Sequence, residues 1–313
     1  MNRASGAASG VARTAQASSL RGVALYALAL LIFACQDGLA RHLVQSHSPA
    51  VVAAVRFCTQ LLLLSVLLPA SVRAAPASEE GRAAGSGVAN QARLILLRSL
   101  CLACLTVVIM GAYARLPLAE ATAISFLGPL LVTVLSVPLL KEKPGVLRWL
   151  GTLGGFCGLL LIVRPGGQLD VLGVGLALLA AVLNAAYQLL SRWLQGVPPL
   201  HLLYKSAVVG TVVGSLAAAL AYQGGPLGAT DLALMAVLGV TSGSGHYLLT
   251  VAFRYTDASL LAPLTYLQLV FAVAVGWLMF RQFPDGVGLL GMALICVSGL
   301  LAVLDGRRKA DLT

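Results

Sequence analysis

The chain has 313 residues, of which 59% are hydrophobic and only 10% are charged, and its mean hydropathy is +0.92. A soluble domain carries about 25% charged residues, so this composition excludes an ordinary water-soluble fold. The formal net charge is +10, which in a soluble protein would indicate nucleic acid as a partner. Here the basic residues fall between apolar runs, as orienting loop charges do. We therefore expect the lipid bilayer as a partner and no nucleic acid.

The apolar runs are long enough to span a bilayer, for which about 20 residues are needed. They are continuous rather than alternating, which predicts helices and excludes a membrane β-barrel. The residues between the runs, rich in Pro and Gly, predict turns. The ten predicted spans cover residues 22–44, 49–69, 92–113, 119–139, 146–163, 170–191, 200–222, 230–252, 259–280 and 286–304.

The segments outside these spans are richer in Ala, Ser, Gly and charged residues. We expect residues 1–21 and 305–313 to be cytoplasmic tails, the first of them flexible, and residues 70–91 to be a cytoplasmic linker. With the N-terminus in the cytoplasm, 15 of the 21 Lys and Arg residues lie on the cytoplasmic side, four lie outside and two lie within spans. Since cytoplasmic loops carry an excess of Lys and Arg, this distribution predicts that both termini are cytoplasmic.

Weak internal similarity divides the spans into two halves, residues 22–163 and residues 170–304. A Pro followed seven residues later by a basic residue occurs in the second span, from Pro49, and in the seventh, from Pro198. Because five is an odd number, the second half enters the membrane from the opposite side. The predicted fold is an all-α polytopic membrane protein with ten transmembrane helices in two inverted five-helix repeats. Its expected location is the bacterial inner membrane.

Charged residues within the spans are candidates for substrate binding or coupling. A charge near the bilayer centre costs at least about 2.5 kcal/mol by insertion scales, so it needs a partner or a function. Asp37 and Arg56 both fall in the predicted outer half and are able to pair with each other, while a local pair of Asp37 with Arg41 is the alternative. Glu120 opens the fourth span, either as a solvated acid at a helix start or as a functional charge.

Polar residues spaced three or four apart place side chains on one face of several predicted helices. In the fourth span, Thr122 and Ser125 belong to such a stripe, which predicts either cavity lining or a helix-packing seam. Gly128 and Pro129 interrupt the backbone hydrogen bonding of the same span, as is tolerated beside a cavity. His246 serves either in helix packing or as a proton relay. The candidates in the sixth, eighth and ninth spans are Asn184, Tyr187, Gln188, His246, Tyr266 and Gln268.

The sequence predicts no enzyme, no metal site and no cofactor. It contains neither HExxH nor GxSxG nor a phosphate-binding loop with its Lys. The six cysteines lie in apolar segments, and the CxxC formed by Cys101 and Cys104 has no second pair, so we expect neither a zinc site nor a disulfide framework.

Residues 113–158, with Pro-Leu-Ala-Glu-Ala at 117–121, Gly-Pro at 128–129 and Lys-Glu at 141–142, resemble the first-repeat signature of EamA-type transporters. These belong to the drug/metabolite transporter superfamily. Residues 254–259 and 268–271 are similar to the second-repeat counterpart, whose usual motif is Glu-Pro-Val-Phe. The resemblance implies ten helices and a central cavity lined by spans one, three, four, six, eight and nine. Residues 28–37 and 184–192 further resemble the riboflavin-transporter branch.

The predicted function is that of a secondary transporter, which moves a small metabolite across the inner membrane by alternating access. The resemblance implies an amino acid, riboflavin or a similar vitamin or drug-like compound as the substrate. Gln268-Leu269 replaces the family's Glu-Pro, and Arg281-Gln282 replaces an acid, so these residues do not support proton coupling in the second half. Direction, coupling and a homodimer are open. The alternative is a membrane sensor or assembly protein, although residues 70–91 are too few for a soluble module.

Overall fold

The computed structural model describes residues 2–73, 88–140, 146–164, 169–194, 196–222, 227–256 and 261–310. Within these ranges the secondary structure is helical, connected by short turns. The helices are α1 (Asn2–Leu43), α2 (Pro49–Leu67), α3 (Ala70–Arg73), α4 (Val88–Tyr113), α5 (Leu118–Ser125), α6 (Gly128–Leu140), α7 (Val146–Val163), α8 (Val171–Trp193), α9 (Pro199–Ala221), α10 (Ala229–Tyr255), α11 (Leu267–Phe280) and α12 (Gly286–Ala310), with a 3₁₀ turn at Ala262–Tyr266.

Seven helical segments of the described chain are long and apolar enough to cross a membrane. Three shorter apolar helices accompany them, at Trp149–Val163, Leu264–Phe280 and Gly286–Leu301. The apolar side chains on the outside of the bundle include exposed Leu, Val and Trp residues, as is expected where lipid rather than water is the solvent. The predicted all-helical membrane protein is therefore confirmed.

Two segments outside the predicted spans contain helix. Helix α1 begins at Asn2, so the described backbone of the predicted cytoplasmic tail is helical, and the flexibility of this tail stays a prediction. Its Ala, Arg and Gln residues favour helix, and the tail continues the first span without a break. In the predicted linker 70–91, α3 occupies Ala70–Arg73 and α4 begins at Val88, four residues before the predicted span. Residues 74–87 of that linker lie outside the described residues.

The fourth and ninth predicted spans are interrupted helices. Helix α5 ends at Ser125 and α6 begins at Gly128, and the Ser125 hydroxyl donates to the Thr122 carbonyl over 2.7 Å beside the break. In the second half, the 3₁₀ turn Ala262–Tyr266 precedes α11. Helices α5 and α11 contact each other, which places the two interruptions in one region of the bundle. Interrupted helices in corresponding positions of two repeats mark substrate sites in several transporter folds.

The packing partners of the helices correspond between the two halves of the sequence. Helix α1 packs on α10, and its counterpart α8 packs on α4. Likewise α2 contacts α10, while its counterpart α9 contacts α4. The remaining main pairs, α2 with α9 and α7 with α12, each join one helix to its own counterpart. Exchange of the two halves therefore leaves this set of pairs unchanged.

Three ion pairs connect loops at the end of the bundle where α1 ends and α2 begins, which we call the ion-paired end. They are His47 with Asp231 at 3.0 Å, Arg115 with Asp170 at 3.6 Å and Arg164 with Asp285 at 2.5 Å. Hydrogen bonds from the Arg164 guanidinium and the Gly288 backbone N–H hold the pKa of Asp285 below its usual value. Solvent-exposed pairs of this kind contribute little to stability, so they connect the loops without dominating the fold.

Close glycine contacts allow α7 and α12 to approach each other. A Cβ on Gly158 would lie 2.6 Å from the Gly291 carbonyl oxygen, and a Cβ on Gly291 would lie 2.6 Å from that of Gly158. Because the obstructing atoms are backbone, the helices must separate to admit a methyl group. We expect Gly158→Ala to destabilise the protein by about 1–3 kcal/mol, measured as a lower unfolding temperature in detergent. Gly175→Ala is the control, since a Cβ there meets nothing within 4 Å, and equal unfolding temperatures for both variants would contradict the prediction.

Candidate functional site

Asp37 lies on α1, half-buried among residues from three other helices. Gln268 of α11 donates from Nε2 to Asp37 Oδ2 over 3.2 Å. The hydroxyl of Tyr113, at the end of α4, also approaches the carboxylate, and Arg56 of α2 interacts with it electrostatically. Residues that are far apart in the chain thus converge on one acid in the interior of the bundle.

Arg56 is 7% exposed and donates to two hydroxyl groups. Its Nη1 donates to Thr106 Oγ1 over 3.3 Å, and its Nη2 donates to Ser242 Oγ over 2.8 Å. Ser242 in turn donates to Gln60 Oε1 over 3.2 Å. The Nε of Arg56 is buried without a hydrogen-bond partner, so this guanidinium retains hydrogen-bonding capacity.

Neither of the direct ion pairs considered for Asp37 forms among the described residues. Asp37 and Arg56 attract each other electrostatically, but they are not among the ion pairs within 4.0 Å. Arg41 donates instead to Gln282 Oε1 over 2.5 Å and lies over the Phe280 ring at 4.4 Å. The acid and the buried arginine are therefore close enough to interact and are each held by neutral partners.

Around the start of α5, the predicted polar stripe lies close to this group. Glu120 is half-buried and interacts electrostatically with Arg41. Thr122 is fully buried, and its Oγ1 lies near the Tyr113 hydroxyl without the geometry of a hydrogen bond. Ser125 donates to the backbone, as described above. The structure therefore places Thr122 next to the Asp37 group, and Glu120 beside Arg41.

A further buried arginine, Arg98 of α4, was missed by the sequence analysis. It is 7% exposed and donates from Nε to Ser191 Oγ over 2.8 Å, from Nη1 to Ser206 Oγ over 3.0 Å and from Nη2 to the Tyr187 hydroxyl over 2.7 Å. The guanidinium carbon also lies 4.4 Å from the centre of the Tyr187 ring. The sequence analysis counted Arg98 among the cytoplasmic loop charges. Its position, six residues into the predicted span 92–113, could have indicated a charge within the membrane.

The other candidates in the second half occupy different parts of the bundle. His246 packs on Phe33 at 5.0 Å between ring centres and interacts electrostatically with both Arg56 and Arg98. Asn184 lies at the interruption between α5 and α6, where a Cβ on Gly128 would be 2.9 Å from its amide nitrogen. Gln188 is half-buried on the same helix.

Tyr266 ends the 3₁₀ turn and packs against Phe126, with 5.8 Å between the ring centres, and against the backbone of Gly299. It is thus a packing contact between the turn, α12 and the break after α5. Among the described residues, no group of three or more His, Cys, Asp or Glu side chains is arranged to hold a metal ion. The charged side chains that the structure brings to the interior include those of Asp37, Arg56 and Arg98, and Arg41 is buried as well, at 6% exposed.

Buried charged and polar side chains from several helices meet inside a lipid-facing helical bundle, which is the arrangement of a membrane transporter. The family comparison agrees with this class. The model of the EamA-like transporter family matches residues 20–164 and again residues 171–304. Because these two matches cover most of the 313 residues, the chain belongs to the EamA-like transporter family.

Three relatives illustrate the range of the similarity. The riboflavin transporter of Rhizobium johnstonii is 31% identical over 202 residues, which are 63% of this chain and 65% of that protein. The S-adenosylmethionine uptake transporter of Rickettsia bellii is 32% identical over 195 residues, 62% of this chain and 66% of that protein. The chain thus spans slightly less than two thirds of each. The pseudopaline exporter CntI of Pseudomonas aeruginosa is 28% identical over 284 residues, 88% of this chain and 94% of that protein.

A solved crystal structure is also similar to the chain. Its TM-score is 0.62 at 21% identity, and the match covers 94% of this chain and 98% of the other. At this identity the likeness shows the fold alone. The family match and the apolar helices together describe a multi-pass membrane protein of the EamA-like transporter family.

Proposed function

We propose that this protein is a secondary transporter that moves a small metabolite across the bacterial inner membrane by alternating access. The observation that carries the proposal is the Asp37 group, in which an acid and a buried arginine interact across helices without a direct ion pair. Opposite charges in the hydrocarbon region are costly. Their retention, with Arg56 Nε left without a hydrogen-bond partner, favours a substrate-binding or coupling role over a purely structural one.

The proposed architecture is ten spans in two inverted repeats, residues 22–163 and 170–304, with both termini in the cytoplasm. The repeated family match and the helix pairs that exchange between the halves support it. Two halves related in this way are able to rock about a site near the bilayer midplane. In this topology the ion-paired end faces outward, and Asp37 and Arg56 lie in the outer half.

Reporter fusions test the topology. We expect a fluorescent protein fused after Thr313 to fluoresce and alkaline phosphatase at the same position to be inactive, because the C-terminus is cytoplasmic. Phosphatase fused at Pro226, in the predicted outer loop between α9 and α10, is expected to be active. Phosphatase activity at the C-terminus would contradict the proposed even number of spans.

Within this proposal, Asp37 and Arg56 bind the substrate or its coupling ion, with Gln268 and Tyr113 orienting the Asp37 carboxylate. The remaining candidates surround this pair or lie deeper in the bundle, and we propose them as lining and gating residues. They are Glu120, Thr122, Ser125, Asn184, Tyr187, Gln188, His246 and Tyr266.

Transport by the purified full-length chain in proteoliposomes tests the function. The panel contains labelled riboflavin, S-adenosylmethionine and a set of amino acids, each measured with and without an imposed pH gradient. We expect saturable movement of at least one compound, and acceleration by the gradient would assign proton coupling. No movement of any compound would favour the alternative, a sensor or assembly protein that does not transport.

A further inference from the structure

Arg98 carries a charge well inside the apolar part of α4. It lies eight residues after Asn90, where the candidate membrane span begins, which is about 12 Å along the helix axis, and it follows the apolar residues 94–97. At this depth a charged side chain is costly and normally pairs with an acid. Among the described residues the ion pairs lie elsewhere, and Arg98 is held by the hydroxyls of Tyr187, Ser191 and Ser206.

This neutral shell orients the guanidinium and does not balance its charge. Its three hydrogen bonds use one N–H on each nitrogen, and a guanidinium has five N–H donors in a planar fork. The hydroxyls are themselves fixed, since Ser191 donates to the Tyr187 carbonyl over 2.7 Å and Ser206 lies 3.2 Å from Ser99. These three hydrogen bonds to neutral hydroxyls join the helices without using the charge of the guanidinium. The charge and the two remaining donors fit an oxyanion, which binds such a fork in a bidentate manner.

Arg56 repeats this arrangement nearer the ion-paired end of the bundle. It also donates to hydroxyls, those of Thr106 and Ser242, and Thr106 lies eight residues after Arg98 on α4, about 12 Å along the axis. His246 interacts electrostatically with both arginines. Arg56 has Asp37 as an interacting acid, whereas the described groups that contact Arg98 are uncharged. Among the described residues, the interior around Arg98 is therefore positive.

We infer that the transported substrate carries a carboxylate or phosphate group, and that Arg98 binds this group in the half of the bundle away from the ion-paired end. The inference rests on the proposed transport function and specifies the class of its substrate. In alternating access, the anionic group would be held by Arg98 when the site opens to the cytoplasm and would lie nearer Arg56 when it opens outward.

The test compares matched compounds in proteoliposomes containing the full-length chain. One pair, riboflavin 5′-phosphate and riboflavin, tests recognition of a phosphate. Two pairs test recognition of a carboxylate: pantothenate against pantothenol, and phenylalanine against phenylalaninamide. In at least one pair, we expect the member that bears the carboxylate or phosphate to be transported with a kcat/KM at least about tenfold higher than that of its partner. Arg98→Gln should lose this preference by about tenfold or more, the value of a charged hydrogen bond. Arg93→Gln, at an exposed arginine of the same helix, should keep it.

Each other outcome overturns the inference. Three results would exclude an anion-binding role for Arg98 while leaving the transport function in place. They are equal transport of both members in every transported pair, transport only of the members that lack the carboxylate or phosphate, and an unchanged preference in Arg98→Gln. The wild-type comparison needs no variant, so it decides the substrate class even if Arg98→Gln fails to fold. In that case Arg98→Lys, which keeps the charge without the planar fork, tests the residue, and an unchanged preference in Arg98→Lys would exclude bidentate binding by Arg98. Movement of none of these compounds, nor of the wider panel, would count against the transport function and therefore against both proposals.

Discussion

Asp37→Asn is expected to lower the initial rate of transport at least about tenfold without preventing membrane insertion. Asparagine has the size of aspartate and still accepts a hydrogen bond from Gln268, which now donates over 3.2 Å. It loses the negative charge that interacts with Arg56, and a hydrogen bond to a charged group is worth about 1.5–3 kcal/mol. The variant therefore changes the charge of the interior with little change in packing.

The measurement is uptake in proteoliposomes, normalised to the amount of monodisperse protein recovered after purification. Asp231→Asn is the matched control, because Asp231 pairs with His47 at the ion-paired end and its side chain is 41% exposed. Loss of gradient-driven accumulation with intact exchange would assign Asp37 to coupling, and loss of both would assign it to binding. A wild-type rate in Asp37→Asn would remove this residue from the site.

Arg56→Leu is expected to have an effect of similar size on transport and a larger one on stability. Leucine leaves the hydroxyls of Thr106 and Ser242 without their charged donor and leaves Asp37 without its interacting cation. Each buried polar group that loses its partner costs about 1–3 kcal/mol, so we expect a lower unfolding temperature in detergent. Transport of substrates bearing a carboxylate or phosphate should fall at least about tenfold.

Two further variants separate charge from packing at this position. Arg56→Lys keeps the charge but lacks the planar fork, so it should retain more activity than Arg56→Leu. Arg115→Leu, at a half-exposed arginine of the ion-paired end, should leave the transport rate unchanged. In a double-mutant cycle with Asp37→Asn, the losses should be less than additive, since the two residues interact. Full activity in Arg56→Leu with normal stability would contradict a role in the site.

Local features of the sequence determined the class and much of the organisation of this protein. The apolar runs predicted its membrane helices because the requirement for about 20 apolar residues acts on each segment alone. The Gly and Pro residues at 128–129 predicted the interrupted fourth span for the same reason, since they alter backbone hydrogen bonding locally. Asp37 and Arg56 stood out as site candidates because a charge in an apolar run is conspicuous without any knowledge of its neighbours.

The sequence was less informative where local composition is ambiguous. Residues 1–21 have a polar, small-residue composition that is compatible with a flexible tail, yet α1 begins at Asn2. Arg98 lies close enough to the predicted end of its span to resemble a loop charge. In each case the deciding factor was the length of the helix, which depends on the continuation of backbone hydrogen bonds rather than on hydropathy.

Only the tertiary structure decided which side chains meet. Asp37 and Gln268 are 231 positions apart in the chain, Arg56 and Ser242 are 186 apart, and Arg98 and Ser206 are 108 apart. No periodicity predicts such pairs, because they depend on which helices are neighbours and on how each helix is rotated about its axis. The sequence by itself determined an all-helical polytopic membrane protein that resembles the EamA-type transporters. The packing of its two halves decided that Asp37 and two arginines lie among hydroxyl and amide groups in its interior.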